Sequence, residues 1–223
     1  MAVSPWIWVA AAAAGVYAIR QRRARAQTNV PPVASNGDPL VVFFHAWGGK
    51  DSTYEPILDS VLGPLDIEYV LPHGTPVGDG RHRWWAMEST TDDQVKYATA
   101  VSAAVSKVKP QLLAYKAAGR KLLLAGHSQG AQMAATLAMQ GVAPAVVAAG
   151  WVPPSLVTAN PQPIVFVNGT QDPHTIFERT QEMVEQLRAN GATQVRLVPV
   201  NAGHEFTGAL LDAWKTEFKK AVT

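Results

Sequence analysis

The 223 residues suffice for one substantial hydrophobic core and fall short of two average catalytic domains. With 48% hydrophobic and 16% charged residues the composition is that of a folded globular protein, and the absence of cysteine excludes a disulfide scaffold, a thiol nucleophile and a cysteine zinc site. The net charge of +2 comes from four arginines in the first 26 residues; the remainder holds 15 basic and 17 acidic residues, which excludes a basic nucleic-acid footprint.

The chain opens on an apolar run, Trp6 to Ile19, that ends in Arg20, Arg22, Arg23 and Arg25. Counted back to Ala2 it holds 18 residues, near the lower limit for a membrane-spanning helix. Trp6, Trp8 and Tyr17 lie towards its two ends, where interfacial aromatics settle. No charge precedes the run, unlike the basic start of a secretory signal. The expectation is an N-terminal anchor helix over residues 1–26, with the Arg cluster and the body on the cytoplasmic side. The alternative is a signal cleaved after Ala26, since Ala24-Arg25-Ala26 has small-x-small form; the protein would then be secreted or periplasmic. Residues 27–38 read as a polar, Pro-containing linker, and residues 39–223 as the folded body of the chain.

Leu40 to Phe44 is a short apolar run that predicts a buried strand, running into the glycine-containing loop His45-Ala46-Trp47-Gly48-Gly49. A helix over Tyr54 to Leu62 and a strand over Ile67 to Leu71 follow. Residues 73–88, rich in Gly, Arg and Trp, look too irregular for an element and too aromatic for a solvated loop. Their His73 and His82 read as surface or capping histidines. Apolar spacing predicts a long helix from Asp92 to Ala118, bent or interrupted around Pro110. Further strands are expected at Lys121–Ala125, after Pro144, at Pro163–Gly169 and at Gln194–Val200. Helices are expected over the small-residue stretch Ala131–Met139, over Thr175–Asn190 and over Phe206–Ala221. Strands alternating with helices predict an α/β fold: a mostly parallel sheet of about six strands, flanked by helices and without a large cap domain.

The pentapeptide Gly126-His127-Ser128-Gln129-Gly130 sits between an apolar strand and a helix-favouring stretch, the context of a nucleophile elbow. Serine attacks only when a base takes its proton, and that base must be held in one tautomer by an acid. In an α/β-hydrolase these follow along the chain as Ser, acid, His, each after a strand. Asp172 follows the strand ending at Gly169, and His204 follows the strand ending near Val200, in that order. Ser128, Asp172 and His204 are therefore the candidate triad, with His174 and Glu205 as close but less well-placed neighbours.

On these stretches the body resembles the phospholipase/carboxylesterase family of α/β-hydrolases, which includes acyl-protein thioesterases and lysophospholipases. Gly126 to Met133 is similar to the family's G-F-S-Q-G-G-x-M, and Ala149 to Pro153 to its S-G-[YW]-L-P. Asn168 to Pro173 is similar to its H-G-x-x-D-P, and Gly203-His204-Glu205 matches G-H-E. The chain departs at Ala46, in the family's H-G pair, and at Ala131, in place of its second glycine after the nucleophile. The resemblance implies the backbone N–H groups of Trp47 and Gln129 as oxyanion donors. Arg83 to Met87 is similar, more weakly, to the S-W-F-D segment beside the acyl site. It implies an open site lined by Trp47, Trp84, Trp85 and Met87 for an apolar acyl or aryl group, unless those aromatics belong to the core.

The expected function is a serine hydrolase that cleaves carboxylic ester or thioester bonds through an acyl-enzyme, with a small-molecule or lipid-like acyl ester as substrate. That chemistry calls for no metal or cofactor. The alternative is a membrane-tethered binding module that keeps the fold without turnover.

Overall fold

A computed structural model describes residues 37–86 and 93–223. The expected anchor, most of the linker and the candidate site residue Met87 lie outside the described residues. No helix among the described residues is long and apolar enough to cross a membrane.

Strand β1 (Pro39–Phe44) is buried along all but its first residue. Its side chains alternate: Leu40, Val42 and Phe44 enter one core, Val41 and Phe43 the other. A continuous run of apolar residues is what a strand covered on both faces requires. Around β1 assembles a six-stranded sheet, wholly parallel, in the order β2-β1-β5-β6-β7-β8. Its members are β2 (Glu68–Val70), β5 (Lys121–His127), β6 (Ala145–Ala148), β7 (Ile164–Gly169) and β8 (Val195–Val200). Helices α2 (Gln94–Ala117), α3 (Gln129–Met139) and α4 (Phe177–Ala189) close one face. Helices α1 (Asp51–Leu62) and α5 (Gly208–Val222) close the other, where Trp214 is fully buried and its indole N–H donates to the Val146 carbonyl, 3.1 Å.

The chain runs outward from β1 to β2, then returns to β5 on the other side of β1. Between β1 and β5 lies the switch point of the topology, and the crevice beyond the carboxyl ends of such strands is where α/β sheets place their sites. The His45–Gly49 loop leaves β1 there and Ser128 leaves β5 there. Asp172 and His204 leave β7 and β8 at the same edge of the sheet.

Two expectations need correction. Residues 75–83 are not irregular: β3 (Thr75–Gly78) and β4 (Arg81–Arg83) pair as an antiparallel hairpin with a bulge between Pro76 and Gly78. Asp79 and Gly80 at its tip both have positive φ, 51° and 69°, the pattern of a type I′ turn, for which Asp-Gly is a favoured pair. Helix α2 runs through Pro110 without interruption. Pro110 removes one donor, but both it and Ser106, whose carbonyl loses that donor, are exposed, where a freed carbonyl can turn to solvent. The helix begins at Asp93, whose carboxylate caps the Val95 and Lys96 amides. Val95, in its first turn, is 75% exposed despite its apolar side chain.

Candidate active site

Ser128 has φ 55° and ψ −119°, a strained conformation for a residue with a side chain. The turn that imposes it is possible only because two flanking glycines lack a Cβ. A Cβ on Gly126 would lie 2.4 Å from the Gly130 carbonyl oxygen, and one on Gly130 would lie 1.9 Å from that of Phe44. A Cβ on Gly150 would meet the Ala131 Cβ at 2.5 Å, so Ala131 is accommodated by a glycine across from it.

Ser128 Oγ lies 2.9 Å from His204 Nε2, and His204 Nδ1 lies 2.7 Å from Asp172 Oδ2. The other carboxylate oxygen, Oδ1, accepts the His174 and Thr175 amides at 2.8 and 2.9 Å, which locks the carboxylate plane. Burial works to raise the Asp172 carboxyl, but the bonds from His204, Thr175 and His174 outweigh it and hold the group below the usual carboxylate range. Asp172 is thus an anion that faces Nδ1, which fixes the tautomer leaving Nε2 free for the Ser128 hydroxyl. His174 is exposed with its ring edge against His204, centroids 5.0 Å apart, and Glu205 is exposed beside it. Neither joins the Ser–His–Asp chain.

Around the β1 loop, His45 donates from Nδ1 to the Ala46 carbonyl, 2.7 Å, while its Nε2 accepts the Gly74 amide, 3.3 Å. The Gly74 amide needs the lone pair on Nε2 and so demands the neutral ring, and burial pushes the His45 pKa down to about 4 against the opposing pull of the Ala46 bond. The Gly49 amide also donates to the Ala46 carbonyl, 3.0 Å. In a trans peptide the N–H points opposite to the carbonyl, so pinning Ala46 O aims the Trp47 N–H away from both donors. Among the described residues that N–H has no protein acceptor. Tyr54 Oη takes the Ala46 amide, 3.1 Å, and the His82 backbone exchanges two bonds with Gly48 and Gly49, 2.9 and 3.1 Å. His73 stacks on His82, centroids 4.3 Å apart, and bonds Asp51 at 2.9 Å. Gln129 opens α3, so its amide has no carbonyl one turn back to bond.

Of the four residues expected to line the acyl site, Trp47 is 47% exposed, whereas Trp84 and Trp85 are buried members of the core. Trp84 stacks on His45 and donates its indole N–H to the His45 carbonyl, 2.8 Å. Two roles had no signal in the sequence. The Gln129 side chain, expected to serve only through its main chain, accepts the Trp84 amide at 3.0 Å and donates to the Trp85 carbonyl at 3.1 Å. It ties the 84–85 segment to the elbow. Asn168, fully buried, brackets Gly150 with two bonds of 2.8 and 3.2 Å and aligns the ends of β6 and β7. Among the described residues no group of three or more His, Asp or Glu could hold a metal ion.

Sheet, switch point and elbow together define an α/β-hydrolase. The chain belongs to the dienelactone hydrolase family, whose model matches residues 78–218. No curated protein matches it. Among solved structures it is similar to esterase PE8, at 18% identity and TM-score 0.70 over 86% of this chain and 96% of that one. It is similar to acyl-protein thioesterase 2 of Zea mays, at 19% identity and TM-score 0.65 over 89% and 100%. It is likewise similar to the Bacillus cereus carboxylesterase, at 19% identity and TM-score 0.66 over 83% and 89%. The family and the fold of these neighbours agree with the motif resemblance to the phospholipase/carboxylesterase α/β-hydrolases.

Proposed function

We propose that the protein is a serine hydrolase that transfers the acyl group of a carboxylic ester or thioester to water. The carrying observation is the continuous chain Ser128 Oγ to His204 Nε2, 2.9 Å, and His204 Nδ1 to Asp172 Oδ2, 2.7 Å. Ser128 Oγ attacks the carbonyl carbon as His204 takes its proton, and Asp172 stabilises the imidazolium. The Trp47 and Gln129 amides receive the oxyanion, each donor lowering the barrier by roughly 3 kcal/mol. His204 then protonates the leaving alcohol or thiol, and a water activated by the same ring hydrolyses the acyl-Ser128 ester. Exposed Trp47 beside the oxyanion position offers an apolar surface to the acyl or alcohol group.

Release of p-nitrophenol from p-nitrophenyl acetate tests the reading. Ser128→Ala is expected to lose at least about 1000-fold in kcat, and wild-type turnover by that variant would refute the role of Ser128. A parallel series of acyl esters and acyl thioesters of increasing length would assign the substrate. Location is proposed on sequence alone: residues 2–19 anchor the body to the cytoplasmic side of a membrane. Full-length protein should sediment with membranes while a chain beginning at Thr28 stays in the supernatant; full-length protein found uncleaved in the supernatant would exclude the anchor.

A further inference from the structure

We propose that His127, the residue before the nucleophile, is a positioning residue for the base: its ring holds the His204 segment by one hydrogen bond and one aromatic stack. The inference rests on the serine-hydrolase reading above. His127 is the last residue of β5, so the sheet fixes it and the chain joins it directly to Ser128. Its Nε2 donates to the His204 main-chain carbonyl, 2.9 Å. Its ring stacks on Phe206 at 4.9 Å and 15°, and Phe206 packs edge-on against the buried Trp214 at 5.2 Å. Two points of one short segment, either side of Glu205, are thereby held against the strand that carries the nucleophile.

Sheet order shows why such a link matters. The nucleophile leaves β5 and the base follows β8, with β6 and β7 between them. Two contacts hold the base from the acid side. Asp172 Oδ2 takes Nδ1, and the Gln171 amide donates to the Ala202 carbonyl, 3.0 Å. These set His204 relative to β7, whereas proton transfer depends on the distance to Ser128 on β5. His127 spans that gap.

The ring's own chemistry argues that donation is its purpose. The His204 carbonyl can only accept, so the proton of the neutral ring sits on Nε2, and Nδ1 of His127 is left buried and without a partner among the described residues. Burial drives the pKa down to about 4 against the His204 bond, which keeps the ring neutral. A phenyl ring would fill the same space and stack on Phe206 without stranding a nitrogen, a burial that destabilises the fold. The family pattern that the elbow resembles has Phe at this position. A polar ring placed here at that cost is explained by the bond it makes.

Three substitutions separate positioning from packing. His127→Phe keeps the stack and loses the donor, and His127→Asn is too short to reach. His127→Gln places an amide N–H where Nε2 stood. The Phe and Asn variants are expected to lose about tenfold or more in kcat on p-nitrophenyl acetate, with KM changed less than about twofold. Ser128 labelling by a fluorophosphonate should slow in proportion, and Gln should recover both rates. Tm of the Phe variant should equal or exceed that of the parent. With Ser128→Ala inactive, a Phe variant at parental kcat and labelling rate overturns the positioning role alone. So does a Phe variant whose activity falls with its Tm and is not recovered by Gln. Hydrolysis retained by Ser128→Ala overturns the serine reading and this inference with it.

Discussion

At the scale of single residues the site depends on two groups held in unusual states. Ser128 keeps a positive φ because the surrounding strand, turn and helix over-determine it. Asp172 stays ionised although burial opposes it, because both carboxylate oxygens are taken by donors. Asp172→Asn therefore removes a charge without changing shape, and an amide N–H facing His204 would favour the tautomer with its proton on Nε2. That proton would block acceptance from Ser128 Oγ. We expect kcat to fall at least about 1000-fold while the fold persists, read by ester turnover beside circular dichroism. Turnover within about tenfold of the parent would remove Asp172 from the proposed mechanism. His127 and the Gln129 side chain were illegible from the sequence, since their partners lie 77 and 44 or 45 residues away. Local pattern carries no trace of such pairings. Ser128, Asp172 and His204 were legible because each follows an apolar strand, and strand ends can be read from hydrophobic runs.

Elements meet at the closest points where glycine allows it. The first turn of α3 passes over the end of β1, and Gly130 is the point of contact. In Gly130→Ala the added carbon would lie 1.9 Å from the Phe44 carbonyl oxygen and 2.3 Å from its carbon. Both belong to backbone inside the sheet, so neither can rotate aside. Helix and strand must separate, which moves Ser128 on one side and the His45–Trp47 loop on the other. We expect a loss of roughly 3 kcal/mol or more in urea unfolding and a fall in kcat larger than in KM. A stability change below about 1 kcal/mol would mean that the contact relaxes freely. The parallel sheet and its helices were readable from apolar runs and amphipathic spacing, and most boundaries fall within a few residues of expectation. The β3–β4 hairpin was missed because Thr75–Gly78 is exposed throughout and alternates nothing. Its one signal was the Asp79-Gly80 pair. Pro110 misled in the opposite sense: the helix continues through it, and the carbonyl that loses its donor belongs to the exposed Ser106.

For the molecule as a whole, the two buried neutral histidines of the site, His45 and His127, tie folding to pH. Each has its folded pKa pushed from the ordinary histidine value near 6.5 down to about 4 by burial. Between those values the unfolded chain binds a proton at each position and the folded chain does not. Stability is therefore fully present above about pH 6.5 and declines as pH falls towards 4. Each histidine contributes about 1.4 kcal/mol per pH unit in that window, so the pair removes roughly 5 to 7 kcal/mol across it. That is comparable to the whole stability of an ordinary domain. Asp172 acts in a lower window: its stabilisation is present above the unfolded carboxylate value near 3.9 and is lost as pH falls through its lower folded value. Urea unfolding at a series of pH values from 7 to 4 should show a steep fall beginning below about 6.5. His127→Phe, which abolishes one of the two protonations, should cut the slope by about half while leaving the value at pH 7 near or above that of the parent. An unchanged slope in that variant would mean that His127 titrates alike in both states and that its ring is open to protons when folded.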